Sequence, residues 1–188
     1  MSHGGQQRMV RSRRTAILVG VIAITLGGAG LAAAHDPGQR IAAANPAEKA
    51  DYVVVVKSER QISLLRQGRV LRRYRVALGE RPDGQKLQQG DSRTPEGRYR
   101  IDWRNSDSNF HLSLHISYPG PVDLERARSL GLEPGDMIMI HGLPNGFTAE
   151  QVGHPQTDWT HGCIAVTNEE IEEIWRLVDD GTPVLIRP

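Results

Sequence analysis

Residues 52–78, YVVVVKSERQISLLRQGRVLRRYRVAL, contain three β-strand patterns separated by short turns. Residues 52–57 are a β-branched run, and residues 61–66 form a second extended segment. Gln67-Gly68 marks a turn, and over residues 70–78 a largely apolar face alternates with a largely basic one, as in a half-buried strand. Three strands joined by tight turns predict an antiparallel meander.

The rest of the chain offers more strands than helices. Residues 79–90 and 142–159 are rich in glycine, proline and polar residues and are predicted to be loops; a loop as long as the second is often functional. Short extended or apolar segments predict four further strands, at residues 98–103, 112–117, 137–140 and 183–186. This count predicts an all-β or β-rich domain with one or two short accessory helices.

Two segments have helical patterns. Residues 169–178 place four apolar side chains on one helical face, and Thr167 with Glu170 fits a capping box. The four apolar residues are Ile171, Ile174, Trp175 and Val178. A shorter helix is predicted at residues 123–130, with Asp123 as N-cap and Gly131 as the stop.

The N-terminus has the pattern of an export signal. Residues 1–14 contain four arginines and no acid, and residues 15–34 are uncharged and mostly apolar, ending in three alanines. This order predicts a signal peptide over residues 1–34, and hence export to the periplasm. An uncleaved anchor in the inner membrane is the alternative, since twenty residues can just span a bilayer. Residues 35–50 are interpreted as a linker and residues 51–188 as the folded domain.

Cleavage would change the charge balance of the chain. The mature protein would have 188 minus 34, or 154, residues, enough for one domain with its own core. Its formal charge would be 19 basic minus 22 acidic residues, or −3, against +1 for the whole chain. The basic excess therefore belongs to the signal segment, so no nucleic-acid partner is expected. No later stretch is apolar enough to span a membrane.

Cys163 is the only cysteine of the chain and lies between Gly162 and Ile164. Exported proteins usually carry cysteines in pairs, so an unpaired thiol favours a nucleophile over a small buried hydrophobe. His141, at the end of a predicted strand, could accept the thiol proton. Asp136 and Asp158 are near only in sequence, so a backbone carbonyl is an alternative group to orient His141.

These residues resemble the signature of the L,D-transpeptidase (YkuD-type) catalytic domain. The resemblance rests on His141-Gly142, on Thr160-His161-Gly162-Cys163 and on the upstream segment Thr94-Pro95-Glu96-Gly97, in that family's order, and covers roughly residues 51–188. It implies a β-sandwich with a small helical element. It also implies that Cys163 is the nucleophile and His141 the proton acceptor, with His161 and Gly162 shaping the site and backbone N–H groups near Cys163 forming an oxyanion hole.

The implied substrates are peptidoglycan stem peptides, with no metal and no organic cofactor. Thiolate attack would release D-alanine, and an amine of a second stem peptide would resolve the acyl-enzyme. A carbapenem is expected to capture the same cysteine. Many family members have an arginine two residues after the cysteine, where this chain has Ala165, which leaves the acceptor and the substrate preference open.

Several other functions remain as alternatives. Transfer of the acyl group to water would make the protein an L,D-carboxypeptidase. A non-catalytic wall-binding module would have the same fold without the activity. Papain-like and NlpC/P60 peptidases place the cysteine before the histidine in the chain, the reverse of the order here. A zinc site would draw on His141, His154, His161 and Cys163, but it lacks the usual paired-ligand spacing.

The other polar candidates are predicted to be ordinary surface residues. This group contains His111, His115 and His154, together with Arg93, Arg98 and Arg104. Trp159 is predicted either to wall a pocket or to pack in the core or at its rim.

Overall fold

The computed structural model describes residues 48–188, in which eight strands form one mixed sheet. The strands are β1 Tyr52–Val56, β2 Gln61–Arg66, β3 Arg69–Arg75, β4 Gly97–Ser108, β5 His111–Ile116, β6 Met139–His141, β7 Ile164–Ala165 and β8 Pro183–Arg187. Their order across the sheet is β3-β2-β1-β8-β4-β5-β6-β7. The predicted β-rich class is confirmed. The predicted signal segment and nearly all of the linker lie outside the described residues.

The predicted meander is present, with one irregularity in its third strand. β1 pairs antiparallel with β2, and β2 pairs antiparallel with β3. The register shifts between Leu64 and Leu65, so the simple alternation predicted for β3 is wrong. Leu71 and Tyr74, three residues apart, are both buried. A bulge inserts one extra residue in a strand and thereby changes which side chains face the core.

The long strand β4 is shared by two halves of the sheet. Its first residues pair with β8, and from Ile101 onward it pairs with β5. The two ends of the strand order also meet, because Ala77, just after β3, exchanges backbone hydrogen bonds of 3.0 and 2.8 Å with Ala165 of β7. The sheet therefore closes on itself around a core that includes Ile62, Leu64, Ile101, Leu114, Ile140 and Ile164.

Within residues 48–188, three short helices accompany the sheet: α1 Pro121–Leu130, α2 Ala149–Val152 and α3 Asn168–Leu177. The capping box of α3 is confirmed: Thr167 Oγ1 accepts from the Glu170 N–H at 3.2 Å, and Glu170 Oε2 accepts from the Thr167 N–H at 2.8 Å. α2 lies inside residues 142–159, which were predicted to be a loop throughout. None of the helices within residues 48–188 combines the length and apolar character needed to cross a bilayer.

The predicted start of α1 is wrong by three residues. The helix is capped at Gly120, and Asp123 is the third helical residue, whose carboxylate accepts from the Gly120 N–H at 3.0 Å. An acidic side chain in the first turn can reach back in this way and is stabilised by the helix dipole. Gly131 ends the helix in the left-handed conformation, as predicted.

Arg104 was predicted to be solvated, but it joins β4 to the end of α3. Its guanidinium lies 5.0 Å from the centre of the Trp175 ring and donates to the carbonyls of Trp175 and Val178. Asp180 accepts from the same group at 2.7 Å. A cation at a helix C-terminus satisfies the last carbonyls and complements the helix dipole.

Candidate active site

Cys163 directly precedes β7, beside the strand that ends in His141. In the parallel β6–β7 pair, Ile164 aligns with Ile140 and Ala165 aligns with His141. The Cys163 Sγ lies 3.6 Å from the carbonyl oxygen of Met137, just before β6. Pairing of two very short strands therefore places Cys163 beside the strand that ends in His141, 22 positions earlier in the chain.

The turn that presents the cysteine is held by Thr160. The Thr160 hydroxyl donates to the Cys163 carbonyl at 2.9 Å and accepts from the Gly162 N–H at 3.1 Å. The Thr160 N–H in turn donates to the Leu78 carbonyl at 3.1 Å. The hydroxyl thus fixes the turn on both sides of His161. Because it accepts the hydrogen bond of the Gly162 N–H, this N–H is already used within the turn.

Gly162 is required by both its backbone conformation and its surroundings. Its φ is +134°, where side chains are strongly disfavoured, and a Cβ built here would lie 2.7 Å from the carbonyl oxygen of Arg93. Gly162 is therefore the residue that lets this turn pass close to the segment after Asp91.

His141 is almost fully enclosed, with only 3% of its surface exposed. Its Nδ1–H donates to the Gly142 carbonyl at 2.7 Å, which leaves Nε2 as the basic nitrogen of the neutral ring. The Gly142 carbonyl thus orients the His141 ring, a role for which no acidic residue was evident in the sequence. Burial lowers the pKa of His141 to about 4, against a smaller opposing effect of the Gly142 bond.

The thiol is also in a neutral resting state. Burial raises the pKa of Cys163, and the hydrogen bond with the Met139 backbone and the charge of Lys86 oppose that rise only in part. A neutral thiol and a neutral imidazole differ from a preformed thiolate–imidazolium pair. A neutral ring whose Nε2 carries no proton has the form of a base that can accept one.

Aromatic rings surround the imidazole. The ring centre of His141 lies 4.5 Å from that of Phe110 and 5.7 Å from that of Trp159. Trp159, which is partly exposed, therefore packs against the candidate base, which favours the second of its two predicted roles, packing in the core or at its rim. Its Nε1–H is buried and has no protein partner.

His154 was predicted to be solvated, and that prediction is wrong. Only 5% of its surface is exposed, its Nδ1 has no protein partner, and burial lowers its pKa. Its charge would further disfavour protonation of His141, so the two rings are electrostatically coupled. No local sequence pattern indicated this position, because the residue is buried by the long loop in which it lies.

The other predicted surface histidines also have partners. His115 contacts Asp102 at 2.6 Å, lies almost parallel to the Trp103 ring and is largely buried, so its surface assignment is wrong. His111 contacts Glu172 at 2.8 Å and remains partly exposed. Neither histidine lines the cavity beside the thiol.

Cys163 and the exposed His161 line a cavity of 320 Å³. Its other walls include Lys86, Asp136 and Met137. Asp136 therefore lines the same cavity as the thiol. Asp158, by contrast, has a structural role: it accepts from the Leu78 N–H at 2.9 Å and pairs with Arg60.

Ala165, the departure from the family signature, is fully buried between β6 and the segment after β3. Its N–H and carbonyl are both bonded to Ala77. Because Ala165 is fully buried, an arginine at this position would have to place a charged side chain away from water. Over residues 48–188, no group of three or more His, Cys, Asp or Glu side chains is arranged to hold a metal ion.

The fold and the site define a β-rich domain in which a partly exposed cysteine directly precedes β7, beside the strand that ends in a buried histidine. The chain belongs to the L,D-transpeptidase catalytic domain (YkuD) family, whose model matches residues 50–186. The family resemblance seen in the motifs is thereby confirmed.

Two named relatives are similar in sequence. "Putative L,D-transpeptidase YafK" of Escherichia coli K12 is 31% identical over 134 residues, which cover 68% of this chain and 46% of that protein. "Putative L,D-transpeptidase YqjB" of Bacillus subtilis 168 is 26% identical over 143 residues, covering 76% of this chain and 74% of that protein. The chain thus spans about half the length of YafK.

Two solved structures share the fold. Bd1075 of Bdellovibrio bacteriovorus matches with a TM-score of 0.54 and 25% identity, over 77% of this chain and 50% of that chain. The helical cell shape determining protein Pgp2 of Campylobacter jejuni matches with a TM-score of 0.57 and 22% identity, over 75% of this chain and 48% of that chain.

Proposed function

We propose that this protein is a peptidoglycan L,D-transpeptidase with Cys163 as nucleophile and His141 as general base. The observation that carries the proposal is the β6–β7 pairing, which sets the thiol beside the strand of a buried imidazole whose Nε2 is free to accept a proton. Family membership supplies the class of reaction. The reaction uses neither a metal nor an organic cofactor.

The first half-reaction forms a thioester. As Sγ attacks the carbonyl between the L-centre of a diamino acid and a terminal D-alanine, its proton passes to His141 Nε2. Backbone N–H groups beside Cys163 would stabilise the oxyanion, with the Gly162 N–H already directed to Thr160. The C–N bond then breaks, the proton moves from the imidazole to the leaving amine, and D-alanine departs.

The second half-reaction transfers the acyl group. An amine of a second stem peptide attacks the thioester and loses a proton to His141, and the thiolate leaves and is reprotonated. With water as the acceptor the same acyl-enzyme gives L,D-carboxypeptidase activity, and with a protein amine it gives anchoring. His161, exposed at the mouth of the cavity, and Gly162 shape the site.

The substrate requires a location outside the cytoplasm. Residues 1–34 are proposed to direct export to the periplasm, either as a cleaved signal or as an inner-membrane anchor. N-terminal sequencing of the protein from envelope fractions decides between these forms. A chain that starts at His35 supports cleavage, and a chain that still contains residues 1–34 supports the anchor.

Product analysis tests the proposed reaction. The full chain is incubated with a purified tetrapeptide muropeptide, and the products are separated and weighed by mass spectrometry. Free D-alanine with a cross-linked dimer supports transpeptidation, and free D-alanine with tripeptide alone supports the carboxypeptidase alternative. Binding without release of D-alanine would contradict both and favour a wall-binding module. Cys163→Ala is the control for each product.

A further inference from the structure

Lys86 is a buried cation in the wall of the cavity that contains the candidate nucleophile. Its side chain is only 4% exposed, yet it lines the same cavity as Cys163 and His161. Among the described residues it is the sole lysine or arginine of that lining. A buried ammonium is costly unless it is paired, so its retention at this position calls for an explanation.

Part of the explanation is local. The Lys86 Nζ donates to Asp91 Oδ1 at 2.8 Å and to the Gln88 carbonyl at 3.1 Å. Asp91 is itself held by the backbone N–H groups of Leu87, Gln88 and Arg93. An ammonium has three protons, and these two acceptors use two of them.

A second buried lysine shows what a purely structural role requires. Lys57 is 3% exposed, and its Nζ donates to three acceptors: the carbonyls of Gly84 and Thr94 and the carboxylate of Glu96. Every proton of its ammonium is therefore used within the fold. Lys86 differs in having one fewer acceptor and in facing the cavity beside the thiol.

We propose that Lys86 binds the terminal carboxylate of the acyl donor, on the residue that leaves. This assignment rests on the proposed function, in which the scissile carbonyl is followed by a single amino acid. The carboxylate carbon of that residue lies roughly 3–4 Å from the scissile carbon, given standard bond lengths. The carboxylate of the leaving residue therefore stays close to Sγ when the thiol attacks the scissile carbonyl. Lys86 and Cys163 line the same cavity, so the ammonium is on the wall where this carboxylate would bind.

The charges around Lys86 support selectivity for a free carboxylate. Asp136 lines the same cavity, so an anion there is repelled unless it binds the Lys86 ammonium. His161 also lines the cavity. A neutral C-terminal amide would leave the buried ammonium with a weaker partner. Charge-assisted hydrogen bonds are worth roughly 1.5–3 kcal/mol, which corresponds to about 10- to 100-fold in rate.

The experiment compares two acyl donors on the full chain. One is the stem tetrapeptide with a free terminal carboxylate, and the other is the same peptide with a C-terminal amide. Release of D-alanine or D-alaninamide gives kcat/KM for each donor in the wild type and in Lys86→Gln, Lys86→Arg and two controls. Lys57→Gln is the control for loss of a buried lysine, and Asp136→Asn is the control for a changed charge in the same cavity.

The wild type is expected to prefer the free carboxylate by about 10- to 100-fold. Lys86→Gln should process both donors at similar, low rates, and Lys86→Arg should restore part of the preference. Lys57→Gln should keep the preference in whatever folded fraction it yields. Asp136→Asn, which removes a negative charge from the cavity, should keep the preference or enlarge it.

Two results would overturn the assignment. A wild type that does not distinguish the two donors contradicts it without any variant, so the test survives if Lys86→Gln fails to fold. A folded Lys86→Gln that keeps the full preference also contradicts it. Failure of the wild type to release either leaving group would instead overturn the proposed function itself.

Discussion

At the scale of single residues, burial governs the chemistry of the candidate pair. His141 loses its charge on burial and keeps one defined tautomer, because Nδ1–H is bonded to the Gly142 carbonyl. Cys163 is held as a thiol for the same reason. The base therefore remains competent at pH values where an exposed histidine would be protonated.

The first prediction concerns the titration of His141. Burial lowers its pKa to about 4 from an ordinary value of 6.5. The ring should stay neutral above pH 5, and the stability that it contributes should be lost as pH falls from 6.5 towards 4. NMR of the imidazole carbons across this range measures the midpoint. A His141 midpoint near 6.5 would contradict the account.

The second prediction concerns Gly162. Gly162→Ala combines a strained φ with a Cβ 2.7 Å from the Arg93 carbonyl oxygen, and we expect a loss of roughly 2–4 kcal/mol in unfolding free energy. Gly146→Ala is the matched control, since its φ is +85° and no atom lies within 4 Å of the added Cβ. Urea unfolding compares the two variants. Equal losses would show that the close approach to Arg93 does not matter.

Sequence reasoning singled out Cys163 and His141 as candidates because each lies in a short local motif. It did not find the burial of His154 or the position of Lys86 in the cavity wall. Both depend on how distant loops fold over the sheet, and neither residue type has a sequence pattern that marks a buried, functional environment.

At the scale of elements, local signals predicted well where they were strong. The meander and α3 follow from period-2 and period-3.6 patterns, with the Thr167–Glu170 capping box at the start of the helix. β7 has only two residues and exists because Ala165 pairs with Ala77 and with β6. Such a strand has too few residues for any pattern, so only tertiary pairing defines it.

The third prediction tests the contribution of the α3 cap. Thr167→Ala removes the hydroxyl that accepts the Glu170 N–H, and we expect a loss of about 1 kcal/mol in unfolding free energy. Thr148→Ala removes the same contact from α2, a helix of four residues with no buried side chain, and should cost less than half as much. An equal cost in both variants, measured by chemical denaturation, would argue against a special role for the α3 cap.

At the scale of the whole molecule, closure of the sheet creates the site. The segment after β3 bonds to β7, and Thr160 bonds to Leu78 in the same segment. The meander thus supports the turn that presents Cys163, although about 80 residues separate them. This long-range support was beyond sequence reasoning, whereas the β-rich class followed directly from the count of strand patterns.

The central claim is that a stem peptide becomes covalently attached to Cys163. Intact-mass spectrometry of the full chain, after incubation with a defined tetrapeptide or with a carbapenem, tests it directly. The account predicts an adduct of the expected mass, mapped by proteolysis to the peptide containing Cys163, and its absence in a folded Cys163→Ala protein. An unchanged mass with both reagents, or an adduct that persists in Cys163→Ala, would contradict the account.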